Sequence, residues 1–236
     1  MEDITRIDAL AARAWPAAEA VEADGWLLRS TPRLDRWRNT SALPLALDAP
    51  LEPMEAFYAA RGQRPIVQVG PAECLGALDA ALERLGYERR IPVDVLTVEA
   101  DGVECALPDG GPAIAARAEP TDDWIAAWTA GEGRTDVAEH HVVFDQLAGR
   151  ATYLLAEEGA GTALTVTEDG WTGVFCMAVA PEHRRLGVAT ALMRAAAAFA
   201  PRLYLQVSEE NAAAHALYRR SGFTRAYGYH YRIAPS

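Results

Sequence analysis

MAVAPEHRRLGVAT, residues Met177–Thr190, decides the fold. An apolar run ends at Pro181 and an apolar, helix-favouring run starts after Gly187, so the stretch reads as strand, loop, helix. Gly187 permits backbone conformations and close approaches closed to bulkier residues. Ala189 is the smallest residue that still favours a helix. The first N–H groups of the helix are therefore unobstructed. They lack partners inside the helix, and the helix dipole adds about half a positive charge there. Such an end suits phosphate, and Arg184 and Arg185 bring side-chain charge to the same place. No Gly-Lys-Ser/Thr follows, so this is not a Walker loop. No G-x-G-x-x-G is present either, which leaves a dinucleotide fold unsupported.

A second block follows, ENAAAHALYRRSGF, residues Glu210–Phe223. Asn211 stands where an N-cap belongs. Ala214, Leu217 and Tyr218 share one helix face. Gly222 is a natural residue to follow a helix end, and Phe223 begins the last strand.

Arg-x-x-Gly-x-Ala behind Val179 and Pro181, followed by Asn-x-x-Ala-x-x-Leu-Tyr-x-x-x-Gly-Phe, resembles the GNAT superfamily of N-acetyltransferases. The family often has Gly where Arg185 stands. The resemblance runs from about Ala113 to Arg232 and implies a mixed-sheet α/β (α+β) GNAT fold with acetyl-CoA as cosubstrate and no metal. It implies that Arg184, Arg185, Leu186, Gly187, Val188, Ala189 and Thr190 hold the diphosphate. The pantetheine would pair with backbone at Met177, Ala178 and Val179 and meet Asn211 and Ala214. Tyr218 would lie by the thioester sulfur and protonate the leaving thiolate, which a phenol of pKa about 10 can do at neutral pH. A backbone N–H of Ala178 or Val179 would face the thioester oxygen. The implied chemistry is direct attack by an amine. Cys176 lacks an evident His/Asp relay and reads as a strand cysteine, not a nucleophile.

The rest of the chain alternates helix and strand. Helices are predicted at Ile4–Ala14, Glu52–Ala60, Leu75–Leu85, from Thr121 as N-cap, at Val137–Leu147, Gly187–Ala200 and Asn211–Ser221. Strands are predicted at Gly25–Thr31, Arg38–Leu45, Pro65–Val69, Ile91–Glu99, Ala113–Ala118, Ala151–Glu157, Ala163–Thr167, Thr172–Val179, Arg202–Val207 and Thr224–Ile233. The Pro-Asp-Gly-Gly signal within Glu104–Pro112 reads as a seam between a domain over 1–106 and a catalytic domain over 112–236.

The halves echo each other: LERLGYERR (Leu82–Arg90) against YRRSGFTRA (Tyr218–Ala226), and IVQV (Ile66–Val69) against YLQV (Tyr204–Val207). That order of elements, repeated at nearly one offset, reads as a duplication. In this alignment Asp48, Leu51 and Pro53 fall opposite Arg184, Gly187 and Ala189, while Leu75 and Leu82 fall opposite Asn211 and Tyr218. A carboxylate repels diphosphate and Pro53 lacks an N–H. The first half is therefore expected to be a smaller, degenerate GNAT-like domain without a CoA site.

The net charge of −11 argues against a nucleic-acid partner and suits a cationic acceptor. No apolar run reaches the roughly 20 residues of a membrane span, and the acidic start is unlike a signal peptide. A cytoplasmic enzyme acting on a small-molecule amine is the expectation, with a homodimer as the assembly to test. Three scattered cysteines suggest neither a disulfide framework nor a zinc site. Asp122, Glu139, His140, His141 and His230 are candidate general bases, and Tyr229, His230 or Tyr231 could line the acceptor pocket. Three alternatives stay open: a non-catalytic acyl-CoA-binding or regulatory module, an acetyltransferase acting on protein lysines or N-termini, and a transferase of a longer acyl group such as succinyl or malonyl.

Overall fold

The structure, a computed structural model, describes residues 2–32, 37–106, 110–133 and 140–235. They divide into two units. Unit 1 comprises 1–94, 208–210 and 227–236, and unit 2 comprises 95–207 and 211–226.

Unit 1 starts with α1 (Glu2–Ala14), whose Ile7, Leu10, Ala11 and Ala14 are buried. Strands β1 (Glu19–Ala23), β2 (Trp26–Ser30) and the short β3 (Leu43–Pro44) form an antiparallel sheet. Ala42, just before β3, makes a parallel bridge to Val67. Then come α2 (Leu51–Ala59), β4 (Ile66–Val69), α3 (Ala72–Arg84) and β5 (Glu88–Glu99). Trp26, Leu28, Met54, Tyr58, Val67, Leu78 and Leu82 fill the core. A buried arginine crosses it: Arg29 donates to the Ser41 carbonyl (2.9 Å), to Ser41 Oγ (2.9 Å) and to Gln68 Oε1 (3.2 Å). These bonds offset part of the cost of burying a charge.

Unit 2 contains the end of β5, α4 (Ala100–Ala106), β6 (Ile114–Arg117), α5 (Asp122–Glu132) and α6 (His141–Gln146). The antiparallel meander β7 (Ala151–Ala156), β8 (Gly161–Glu168) and β9 (Trp171–Val179) follows. Next are α7 (Val188–Ala197), β10 (Arg202–Ser208) and α8 (Ala212–Arg220). The last strand, β11 (Thr224–Ile233), ends in unit 1. The strand order in unit 2 is β5-β10-β9-β8-β7-β6, with β9 and β10 parallel. In unit 1 the order is β4-β11-β5, and β11 pairs antiparallel with β4, His230 opposite Val69. Among the described residues no helix is long and apolar enough to cross a membrane.

Several expectations shift. Residues 104–106, read as part of a seam, finish α4, whose Val103 is buried in the unit 2 core. Gly110 and Gly111 also belong to unit 2, and 107–109 lie outside the described residues. Strand β1 was not anticipated because Glu19 and Glu22 interrupt its apolar pattern; its side chains are mostly exposed. The strand read over Arg38–Leu45 shrinks to Leu43–Pro44, with a 3-10 turn at Trp37–Asn39. The helix start at Thr121 is as read: its hydroxyl accepts from the Trp124 N–H at 3.2 Å. Of the helix predicted over Val137–Leu147, His141–Gln146 is helical, and 137–139 lie outside the described residues.

The mixed sheets repeat one theme. Each unit carries an antiparallel meander whose last strand runs parallel to the strand beyond the next helix. A second helix follows in each. Gly86 (φ 81°) and Gly222 (φ 83°) close these second helices in the left-handed conformation. In both, the next aromatic N–H turns back: Tyr87 to the Leu82 carbonyl at 2.9 Å, Phe223 to the Tyr218 carbonyl at 3.0 Å.

Candidate active site

The candidate site is the part of unit 2 where β9 leaves β10. The parallel pairing runs from Trp171/Arg202 to Val174/Leu205 and, among the described residues, ends there. Against β8 the register of β9 shifts between Thr162 and Leu164, a β-bulge in β9 where Cys176 and Met177 stand against the single Ala163. Cys176 has φ 49°, a costly conformation for a residue with a Cβ. The Thr162 hydroxyl donates to the Cys176 carbonyl at 3.0 Å and pins the bulge. A bulge bends its strand, and here it turns Met177–Val179 out of the ladder with β10. The expected opening between these strands thus has a local cause. Cys176 is half-buried and belongs to this backbone device.

Beyond Val179 a 3-10 turn at Pro181–His183 leads into the loop. Arg185 (φ 65°) and Gly187 (φ 82°) both take the left-handed conformation. Arg184 Nε donates to the Val179 carbonyl at 3.3 Å, tying the loop to the strand. The first intrahelical bond of α7 runs from the Ala191 N–H to the Gly187 carbonyl, 2.9 Å. The N–H groups of Val188, Ala189 and Thr190 precede it and have no acceptor inside the helix. No acidic residue stands in this first turn. Val188 points into the core, while Leu186 is 64% exposed.

The second block supplies the other wall. Asn211 caps α8 as its residue type suggested, accepting from the Ala214 N–H at 3.0 Å. That leaves its side-chain NH2 for a ligand. Tyr218 shares a core cluster with Met177, Val179, Ala214 and Leu217. It is 8% exposed, and its ring lies 5.8 Å from that of Phe223. Its hydroxyl has no hydrogen-bond partner among the described residues. Burial pushes its pKa up to about 12, so it carries its proton at any physiological pH.

The family described as "Probable histone acetyltransferase Rv0428c C-terminal" matches residues 2–232. The chain is a GNAT-superfamily N-acetyltransferase. It is 30% identical over 249 residues to "Uncharacterized N-acetyltransferase YobR" of Bacillus subtilis (strain 168), covering 99% of each chain. Among solved structures it resembles a GCN5-related N-acetyltransferase from Kribbella flavida (TM-score 0.70, 18% identity, 98% of this chain and 95% of that one). It also resembles a tandem GNAT protein from the clavulanic acid biosynthesis pathway (TM-score 0.61, 15% identity, 89% and 74%).

GNAT acetyltransferases use acetyl-CoA, and the unit 2 loop fits an acyl-CoA diphosphate: orphan N–H groups, no nearby acid on the helix, and a glycine-lined approach. Part of that lining escaped sequence reading. Gly111 (φ 104°) lies against the loop, and a Cβ there would sit 3.0 Å from Ala191 Cβ and 3.4 Å from the Gly187 carbonyl oxygen. Two further glycines box in Ala178. A Cβ on Gly131 of α5 would come within 2.8 Å of Ala178 Cβ and 3.2 Å of the Val179 nitrogen. One on Gly161 would come within 2.8 Å of the Ala178 carbonyl oxygen and 2.9 Å of Val188 Cγ1. Only Gly111 carried a sequence signal, and it read as a linker turn.

The candidate bases scatter. Asp122 is exposed in the first turn of α5, and His141 is exposed at the start of α6. His140 is buried against the Trp128 ring, 4.9 Å away. Glu139 lies outside the described residues. His230 belongs to unit 1, its Nε2 2.8 Å from Asp79 Oδ1, which also accepts from Arg232 Nε at 2.7 Å. Tyr229 and Tyr231 are buried in unit 1 with ring centroids 5.5 Å apart. A cleft of about 760 Å³ opens in unit 2 between β6, α5 and the β7–β8 turn, and Asp123, Glu157 and Glu158 line it. This turn leads to Ala160, whose carbonyl accepts from the Ala180 N–H at 3.1 Å, so the cleft lies at the same end of the sheet as the loop.

Proposed function

We propose that the chain transfers the acetyl group of acetyl-CoA to a primary amine of a small molecule by direct attack, with both substrates bound in unit 2. The supporting observation is Tyr218: a protonated phenol with no hydrogen-bond partner among the described residues, in the same apolar wall as Met177 and Ala214. When bound, acetyl-CoA supplies the activated acyl group. Arg184, Arg185 and the N–H groups of Gly187–Thr190 hold its diphosphate. Backbone at Met177–Val179 and the Asn211 amide orient the pantetheine. An N–H of Ala178 or Val179 faces the thioester oxygen as charge develops there. Tyr218 keeps its proton at Oη until the thiolate departs and then gives it up to sulfur. The carboxylates of Asp123, Glu157 and Glu158, with the net charge of −11, favour a cationic acceptor.

Unit 1 in this reading binds no acetyl-CoA. A cytoplasmic setting and a homodimer are part of the same proposal, to be checked by fractionation and sedimentation. A second reading, a protein-lysine acceptor, rests on the family's description as a probable histone acetyltransferase. A basic lysine peptide suits the same acidic surface.

The test is thiol release from acetyl-CoA across small amines, with a histone-tail peptide as comparator. Tyr218→Phe is expected to lower turnover at least roughly tenfold with the KM for acetyl-CoA little changed. Unchanged turnover removes Tyr218 from the mechanism. Faster turnover on the peptide than on every small amine replaces the first reading with the second.

A further inference from the structure

Unit 1 has a cavity of its own at the place where, in unit 2, β9 and β10 part. The segment after the Ala42–Val67 bridge and the turn from β4 into α3 enclose about 90 Å³. Its walls are largely apolar, with Leu43, Leu45, Leu47 and Leu75 among them and the Cys74 thiol beside them. Leu45 and Leu47 are 46% and 58% exposed, high for leucine, and form part of this lining. Pro50 and Pro71 precede α2 and α3 and offer no side-chain cap, and Leu75 breaks the helical geometry of α3 (φ −115°, ψ 16°). None of this resembles a diphosphate cradle.

One polar group interrupts the apolar wall. Asp8 lines the cavity from α1. Its Oδ1 accepts from the Tyr227 hydroxyl at 2.7 Å and from Gln68 Nε2 at 3.5 Å. Its other oxygen takes no hydrogen bond among the described residues. Arg29, the cation that most affects it, commits its guanidinium to Ser41 and to Gln68 Oε1, so Gln68 stands between the two charges. Burial pushes the Asp8 pKa up to about 6, yet the residue keeps some accessible surface, as a cavity-lining group does. Among the described residues no cation touches this carboxylate directly, and Arg29 reaches it only through Gln68.

We propose that this cavity binds a small primary amine with a short apolar arm, its ammonium on the free oxygen of Asp8 and its carbon chain between Leu43, Leu47 and Leu75. An ammonium supplies the missing donor and charge, the leucines the apolar contact. The volume, several times that of one water by the same measure, suits a chain of a few carbons. This site is separate from the acetyl-transfer site and does not depend on that reading.

The probe is n-butylamine, titrated into the full chain without acetyl-CoA, with n-butanol as the neutral comparator. The amine is expected to bind at least roughly tenfold more tightly than the alcohol, and Asp8→Asn to remove that preference. Cys74→Phe, which fills the cavity and keeps the carboxylate, should weaken both. Acetyl-CoA binding should be unchanged in both variants, which separates failure here from failure at unit 2. In the wild type, n-butylamine should slow alkylation of Cys74 by N-ethylmaleimide and leave Cys176 alone, read by peptide mass spectrometry. Equal affinity for amine and alcohol, or an amine affinity untouched by Asp8→Asn, overturns the proposal. So does an unprotected Cys74, and this arm holds even where a variant fails to fold.

Discussion

Helices α7 and α2 each follow the last strand of a meander and precede a strand parallel to it, yet their first turns differ in every feature that matters to an anion. The start of α7 has Gly187 at φ 82°, no acid in the first turn, and a tie from Arg184 to Val179. The start of α2 has Pro50 before it, Leu51 and Pro53 within it, Glu52 in its first turn and Asp48 just upstream. Pro53 removes an N–H, and the two carboxylates oppose the dipole that would attract phosphate. The second helices diverge likewise. Asn211 caps α8, whereas Pro71 precedes α3 without a side-chain cap. Tyr218 faces Leu217 and Ala214 in its cluster, whereas Leu82 is fully buried in the unit 1 core. The lesson is that helices at matching places in two units can set opposite conditions for an anion through a few side chains.

That contrast can be broken at several points. Gly187→Glu places a carboxylate at the mouth of the loop and imposes a side chain on a left-handed position. It should weaken acetyl-CoA binding beyond roughly a hundredfold in calorimetry. Binding within a few fold of wild type would refute the diphosphate assignment. Gly131→Ala should come next. Its Cβ has only 2.8 Å to Ala178 Cβ, so β9 must shift, and the KM for acetyl-CoA should rise by roughly tenfold. A KM equal to wild type would show that β9 yields without disturbing the site. Asn211→Ala removes the α8 cap, with a loss of about 1 kcal/mol in a denaturant titration and a rise of a few fold in KM. A stability loss without any KM change would leave Asn211 as a cap alone. The smallest effect is expected from Leu51→Gly in unit 1. It restores a glycine but not the missing N–H or the charge, so calorimetry should still count one acetyl-CoA per chain. A second site would show that the α2 start lacks only a glycine.

Much of this was legible in the chain. The strand–loop–helix at Met177–Thr190, the cap at Asn211, the turn at Gly222 and the cap at Thr121 are where their residue types put them, because each answers a local backbone demand. The bulge at Cys176 was not legible, since nothing in a cysteine signals a positive φ. Gly131 and Gly161 were equally silent. A glycine within a helix or at a strand start declares a missing Cβ but not which neighbour comes close. The strand read over Arg38–Leu45 is mostly turn: Trp37–Asn39 form a 3-10 turn, Ala42 makes a single bridge to Val67, and Leu43–Pro44 pair with β2.

What the sequence by itself determined is the family, its class of acetyl-transfer reaction and the local structure of the two blocks, since helix caps, left-handed glycines and exposed N–H groups depend on a few consecutive residues. Tertiary structure alone decided the membership of the sheets. Residues 95–99 of β5 lie in unit 2 and residues 227–233 of β11 in unit 1, so each unit contains a strand segment contributed by the other half of the chain. Strand pairing is a contest among many edges with similar local preferences, and only the complete set of contacts settles it. The same holds for Asp8, an ordinary acidic residue in an amphipathic helix until Tyr227, Gln68 and the leucines of β3 and α3 close around it.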